Sequence, residues 1–198
     1  MAIYKKNNRK KYYKWITTKE LITSYQSKGG FYGKNDIRLM IGNIKFGARA
    51  VAVIENNNKI LFQKRKDDEN WALPGGAIAT MEKGEEVVLR ELEEETGETE
   101  AKIKRPLWFA EYFFTFGGLT QHQYILGYLV DIPKDSKLVQ SEQFDGIEEG
   151  KNIIYRWIDK EAIKDSPIKP DFLKDKLSNI KENYEFITET EKSLKKVK

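Results

Sequence analysis

The sequence predicts an α/β domain, a mixed β-sheet with helices on its faces. Three observations predict it. Five β-rich apolar runs recur along the chain, at 48–54, 59–64, 107–116, 121–132 and 153–158. A helical segment, 85–97, stands between the second and third of them, and Val88 and Leu92, four apart, give it an apolar side. A last segment opening at Asp171 places Leu173, Leu177, Ile180, Tyr184 and Ile187 at steps of four, three, four and three, the stripe of an amphipathic helix.

A chain of 198 residues makes one domain with at most an appendage, and it can bury a sizeable core. The absence of Cys excludes a disulfide framework and a thiolate metal site. No apolar run approaches the roughly 18 residues of a membrane span, so no membrane partner is expected. The N-terminus is charged and lacks an apolar signal core, which with the missing Cys points to the cytoplasm. A net charge of +4 favours anionic partners mildly and does not by itself mean nucleic acid.

Taken in order, residues 1–15 carry Lys5, Lys6, Arg9, Lys10, Lys11 and Lys14 without an acid, interleaved with Tyr4, Tyr12, Tyr13 and Trp15. Such a stretch is either a basic tail whose aromatics pack on the domain or a track for a phosphate backbone with stacked bases. Thr17 and Glu20 have capping-box spacing, which predicts a helix over 18–27 that Gly29, Gly30 and Gly33 break. The alternation in 37–46 predicts one strand or two. Runs 48–54 and 59–64 are joined by Glu55-Asn56-Asn57-Asn58, and Asn tolerates the left-handed backbone, so they form a hairpin. A polar loop, 65–70, and WALPGGAI, 71–78, lead to a loop over 77–84 and then to the helix of 85–97. Glu85 and Glu86 suit that helix's first turn and Gly97 its end. Strands follow at 100–104 and 107–116, a turn at Gly117-Gly118, and a strand at 121–132. A loop over 133–150 holds Glu142, Asp145, Glu148 and Glu149. After the strand at 153–158, Asp159 caps a short helix, and Pro167 and Pro170 punctuate the approach to the last segment. There are no internal repeats.

The chain is organised around residues 75–98, GGAIATMEKGEEVVLRELEEETGE. Glu91, Glu94, Glu95 and Glu98 stand at i, i+3, i+4 and i+7, which puts them on one helical face. Only Arg90 sits among them. Like charges at that spacing repel by roughly 0.2–0.5 kcal/mol per pair, so the face makes sense if cations complete it. Clustered hard carboxylates suit Mg²⁺, with Mn²⁺ as a substitute, and Mg²⁺ is usually shared with substrate phosphates.

The same stretch resembles the signature of the Nudix hydrolases: a Gly, five residues, a Glu, seven residues, Arg-Glu, an apolar residue, any residue, Glu-Glu, any residue and Gly. Gly76, Glu82, Arg90, Glu91, Leu92, Glu94, Glu95 and Gly97 fill those places without a gap. Average residue usage gives such a match by chance on the order of 10⁻⁸ per starting position. Glu98 departs from the pattern, which has an apolar residue there. Leu73-Pro74-Gly75-Gly76 is also what the family carries ahead of the box. The resemblance covers about 46–165. It leaves an N-terminal extension, 1–45, unexplained, and the C-terminal segment, 166–198, is expected as an amphipathic helix packed on the domain.

The resemblance implies an α/β/α sandwich that hydrolyses a nucleoside diphosphate linked to another group, with Mg²⁺ as cofactor. It makes Glu91, Glu94 and Glu95 the metal cluster, with a backbone carbonyl at Gly75 or Gly76 as a further ligand. Glu91 is the expected base, Arg90 its orienting partner, and Glu82 either joins the metal shell through water or fixes the loop. One of the acids in 133–150 is the alternative base. Arg65 and Arg49 are candidates for phosphate contacts. Trp71, Tyr112 and Phe114 either stack on a base or belong to the core, and His122, mid-strand, is structural. A Pro that ADP-ribose hydrolases of the family carry after the box is absent, and Phe113 stands there. The expected substrate is therefore MutT-like, a (deoxy)nucleoside triphosphate giving the monophosphate and pyrophosphate. The alternatives are an RNA 5′ end, suggested by the basic first fifteen residues, an ADP-ribose-type substrate, and a ligand sensor without catalysis. The expected partner is a nucleotide or its derivative, and the resemblance leaves room for a homodimer.

Overall fold

A computed structural model describes residues 3–6, 13–16, 36–192 and 194. The chain falls into two units, 1–36 and 37–198. In the first, strands β1 (Ile3–Lys6) and β2 (Tyr13–Ile16) form an antiparallel pair with Ile3 opposite Ile16. The helix expected over 18–27 lies outside the described residues.

In the second unit, strand β4 (Ile44–Asn56) is the spine. Its partner on one side of the sequence is β3 (Arg38–Ile41), antiparallel, so the stretch 37–46 makes one short strand and the start of a long one. At its far end it turns into β5 (Lys59–Arg65), and Asn57 and Asn58 take φ of 47° and 63° in the turn, the left-handed backbone that Asn tolerates. A short strand β6 (Gly75–Ala77) lies antiparallel on Arg49–Val51. Helix α1 (Gly84–Thr96) follows, closed by Gly97 at φ 76°, whose N–H donates to the Glu93 carbonyl.

Strand β7 (Lys102–Phe116) is continuous where two strands were expected. Pro106 has no N–H to give the ladder, and the register shifts on either side of it, so the irregularity is absorbed as bulges and not as a break. Strand β8 (Leu119–Asp131) returns antiparallel to β7 and lies parallel to β4. Strands β9 (Gln143–Asp145) and β10 (Ile153–Asp159) extend the sheet past β5. With a last strand β11 (Glu185–Thr190), the order is β11-β7-β8-β4-β5-β10-β9, with β3 and β6 also on β4.

Two cores lie on the two sides of this mixed sheet. Val87, Val88 and Leu92 of α1 pack with Ala50, Ala52, Ile54, Leu61 and Tyr155. Val51, Val53, Ile60, Phe62 and Trp108 pack with Phe172, Leu173 and Leu177 from helix α2 (Phe172–Ser178). No helix among the described residues is long and apolar enough to cross a membrane.

The C-terminal segment differs from expectation. Helix α2 stops at Ser178, and β11 (Glu185–Thr190) then runs parallel to β7, with Glu185 opposite Trp108. The five-residue apolar stripe is real but divided. Leu173 and Leu177 pack from the helix, Ile180 and Ile187 pack from beyond it, and Tyr184 is largely exposed. The sequence Glu-Phe-Ile-Thr-Glu-Thr is rich in β-branched and aromatic residues, and a free edge of β7 is there to receive it.

Candidate active site

The box loop and α1 bring the acids together through one arginine. Arg90 donates from Nε to Glu82 Oε1 at 2.7 Å, and from Nη1 to Glu91 Oε1 at 2.8 Å and Glu94 Oε2 at 3.0 Å. Charge-assisted bonds of this kind fix geometry as well as adding energy. Glu82 also accepts from the Ala79 N–H at 3.0 Å, so it ties the loop to the helix. The Arg90 hydrogen bond holds the Glu82 carboxyl below its usual pKa, and Arg90 itself is pushed up by Glu82, with burial opposing.

Glu91 and Glu95 point inward and are buried, whereas Glu94 is exposed. Both glycines ahead of the helix are required by close approach. A Cβ on Gly76 would stand 2.0 Å from Glu91 Oε1, and one on Gly75, at φ 142°, would stand 2.1 Å from the Ala50 carbonyl. The Gly75 carbonyl accepts from Arg49 Nη2 at 3.0 Å. Arg49 Nε is buried without a hydrogen-bond partner. Burial lowers the Arg49 pKa, and the nearby charges of Glu95 and Glu91 raise it in part.

Two residues that the sequence did not point to complete the site. Tyr155 on β10 donates its hydroxyl to Glu95 Oε2 at 2.6 Å. Lys151, in the turn before β10, places Nζ 2.6 Å from Glu148 Oε2, 3.0 Å from Glu95 Oε1 and 3.6 Å from Glu91 Oε2. Gly150 at φ 83° and Asn152 at φ 50° flank that lysine, and this pair of turn residues is the signal that could have found it. The loop is moored to the helix, since the Ile147 N–H donates to the Glu95 carbonyl at 2.8 Å. Burial raises the Glu95 pKa against the hydrogen bonds from Tyr155 and Lys151. For Lys151 burial acts downward, but bonds to Glu148 and Glu95 leave its pKa raised.

The other expected residues are placed as follows. Glu98 does not share the acidic face: Gly97 turns the chain, and the Glu98 carboxylate accepts from the Ser136 hydroxyl and the Glu100 N–H. Of the loop acids, Glu148 reaches the site, while Glu142 pairs with Lys59 and Asp145 with Lys66. Arg65 stands opposite Ile153, and its exposed guanidinium donates to Asp67. Trp71 lies in the core and not at the site surface, because its backbone is held by Pro167 and Lys169 beneath the C-terminal segment. Tyr112 is buried as well, stacked on Phe114 and bonded to Glu191. His122 stacks on Phe113 between Phe46 and Tyr124, in keeping with a structural role.

Among the described residues no three acidic or histidine side chains, as they stand, converge closely enough to hold an ion. Glu82 and Glu94 are drawn to Arg90, and Glu95 and Glu148 to Lys151, with Glu91 between the two cations. The donors still suit a hard divalent ion. Buried carboxylate oxygens of Glu91 and Glu95 already face one cation, and Gly76 has no Cβ to crowd them.

The family model described as NUDIX domain matches residues 45–176. A Bacillus subtilis (strain 168) protein provisionally named an 8-oxo-dGTP diphosphatase is 40% identical over 79 residues, which is 37% of this chain and 53% of that protein. An ADP-ribose pyrophosphatase of Methanocaldococcus jannaschii is 50% identical over 48 residues, 23% of this chain and 28% of that protein. The chain thus spans about half the length of the first relative and about a quarter of the second. A solved NUDIX hydrolase from Nitrosomonas europaea superposes with a TM-score of 0.50 at 13% identity, over 96% of this chain and 94% of that one, a likeness of fold alone.

Proposed function

This chain belongs to the NUDIX family, and from that premise we propose that it is a divalent-metal-dependent hydrolase that splits (deoxy)nucleoside triphosphates into monophosphate and pyrophosphate. The observation that carries this reading is the buried pair Glu91 and Glu95, aligned by Arg90 and Tyr155 beside an Arg49 whose Nε has no partner. Glu91, Glu94 and Glu95 would hold Mg²⁺ or Mn²⁺, with a carbonyl of the Gly75-Gly76 turn as a further donor. Bound there, such an ion would neutralise charge on the phosphates and acidify water.

The chain's own groups supply the rest. Arg49 Nε donates to a phosphate oxygen, and Arg65, exposed at the end of β5, adds a second cation once it exchanges Asp67 for substrate. Glu91, locked by Arg90, takes the proton from the attacking water. The water oxygen bonds to phosphorus while the anhydride bridging oxygen leaves with pyrophosphate. Glu148, the acid the β9–β10 loop delivers to the site, is the alternative proton acceptor. The relative named for 8-oxo-dGTP supports a nucleoside triphosphate over the longer of the two matches, and Phe113 in place of a Pro speaks against an ADP-ribose substrate.

The test is a phosphate and pyrophosphate release screen with Mg²⁺ over nucleoside triphosphates, 8-oxo-dGTP, ADP-ribose, dinucleotides and capped RNA. Turnover of triphosphates with pyrophosphate as product is expected. Turnover of ADP-ribose or capped RNA alone would replace this substrate, and no turnover on any of them would leave a ligand-binding module.

A further inference from the structure

We propose that Lys151 is a built-in counter-ion which holds the carboxylates together before metal arrives and which a divalent ion must evict. The inference rests on the reading of Glu91 and Glu95 as metal ligands. One ammonium stands within 3.6 Å of three carboxylates, Glu148, Glu95 and Glu91, the last two buried. The other oxygens of the buried pair each accept a hydrogen bond, Glu95 Oε2 from Tyr155 and Glu91 Oε1 from Arg90. The oxygens that face Lys151, Glu95 Oε1 and Glu91 Oε2, are the ones an ion entering from that side would meet. Carboxylate–metal distances are about 2.0–2.6 Å, so ion and ammonium compete for the same few ångströms and repel each other at that range.

The lysine has an exit. Its side chain is 38% exposed, and its backbone turn is pinned by Gly150, Asn152 and the Ile147–Glu95 hydrogen bond. Eviction is thus a swing of one side chain over a fixed loop. It also releases Glu148 from its ion pair, so that acid becomes available in the same event. Lys151 lowers metal affinity and in exchange keeps the metal-free site from repelling itself.

The experiment is a Mn²⁺ titration followed by electron paramagnetic resonance, on the full chain and on Lys151→Met, Lys151→Gln and the loop control Lys66→Met, which removes an exposed lysine paired with Asp145 and with none of Glu91, Glu95 and Glu148. Both Lys151 variants should bind Mn²⁺ at least about tenfold more tightly, with the control unchanged. Their metal-free forms should melt lower than wild type, and Mn²⁺ should raise their Tm by more than it raises that of wild type. In the wild type, the rate at which an amine-acetylating reagent modifies Lys151, read by mass spectrometry against Lys66, should rise when Mn²⁺ is added. Unchanged or weaker binding in the variants, or an acetylation rate that Mn²⁺ leaves flat or lowers, overturns the counter-ion role while the metal site stands. A wild-type chain that binds no Mn²⁺ overturns both.

Discussion

Gly76 is defined by what it lacks. A methyl group there would meet the Glu91 carboxylate at 2.0 Å, so Gly76→Ala must drive Glu91 out of its pocket. We expect kcat to fall about 100-fold with the circular dichroism unchanged, and full retention of kcat would show that the position of Glu91 is immaterial. Glu95→Gln keeps the side-chain shape and the Tyr155 contact but removes the charge. It should abolish turnover with the fold intact, and a variant as active as wild type would reject the metal assignment. At this scale the sequence was legible where residues follow one another closely. Arg90 lies one, four and eight positions from the acids it binds, within a spacing that a helix and its preceding loop fix. Tyr155 and Lys151 reach Glu95 from 60 and 56 positions away, across a register set by the pairing of β10 with β5, and no local pattern carries that.

At the scale of elements, the hairpin at Asn57-Asn58 and the ends of α1 followed directly from turn and cap chemistry. The C-terminal segment did not, because an apolar step of three and four residues suits a helix and also a short helix followed by a strand. Tertiary pairing decided between them, and sequence spacing holds no record of the β7 edge. Glu185, the first residue of β11, accepts from Lys176 Nζ of α2 at 2.7 Å and from Lys181 Nζ of the link at 3.1 Å. The Lys176 bond, above all, holds the Glu185 carboxyl below its ordinary value of 4.5. A depressed carboxyl stabilises the folded state above the unfolded pKa and loses that contribution as pH falls through the folded one. Glu185→Gln should therefore lower Tm at pH 7 by about 1–2 °C. The gap should close as the pH drops below 4.5, in a series of thermal melts. A gap that persists into strong acid would show that the side chain acts by packing and not by charge.

For the whole molecule, both cores, among the described residues, are lined from Ile37 onward, and the family match falls inside that unit. A chain of residues 37–198 should unfold in one transition near the full-length Tm and keep its turnover of free nucleotides. If residues 1–15 also serve RNA, the shortened chain should bind capped RNA more weakly and with a flatter salt dependence, whereas an unchanged salt slope would dismiss that role. The pairing of β11 with β7 joins positions 77 apart in the chain, Glu185 beside Trp108. On the ribosome the last strand emerges after everything it must cover. Until then the outer rim of β7, with Phe109 and Phe113 along it, offers unpaired amides to any passing polypeptide. A protease that nicks the chain between Asn179 and Tyr184 would reopen that rim in a finished molecule, and the product should clump before it loses its secondary structure.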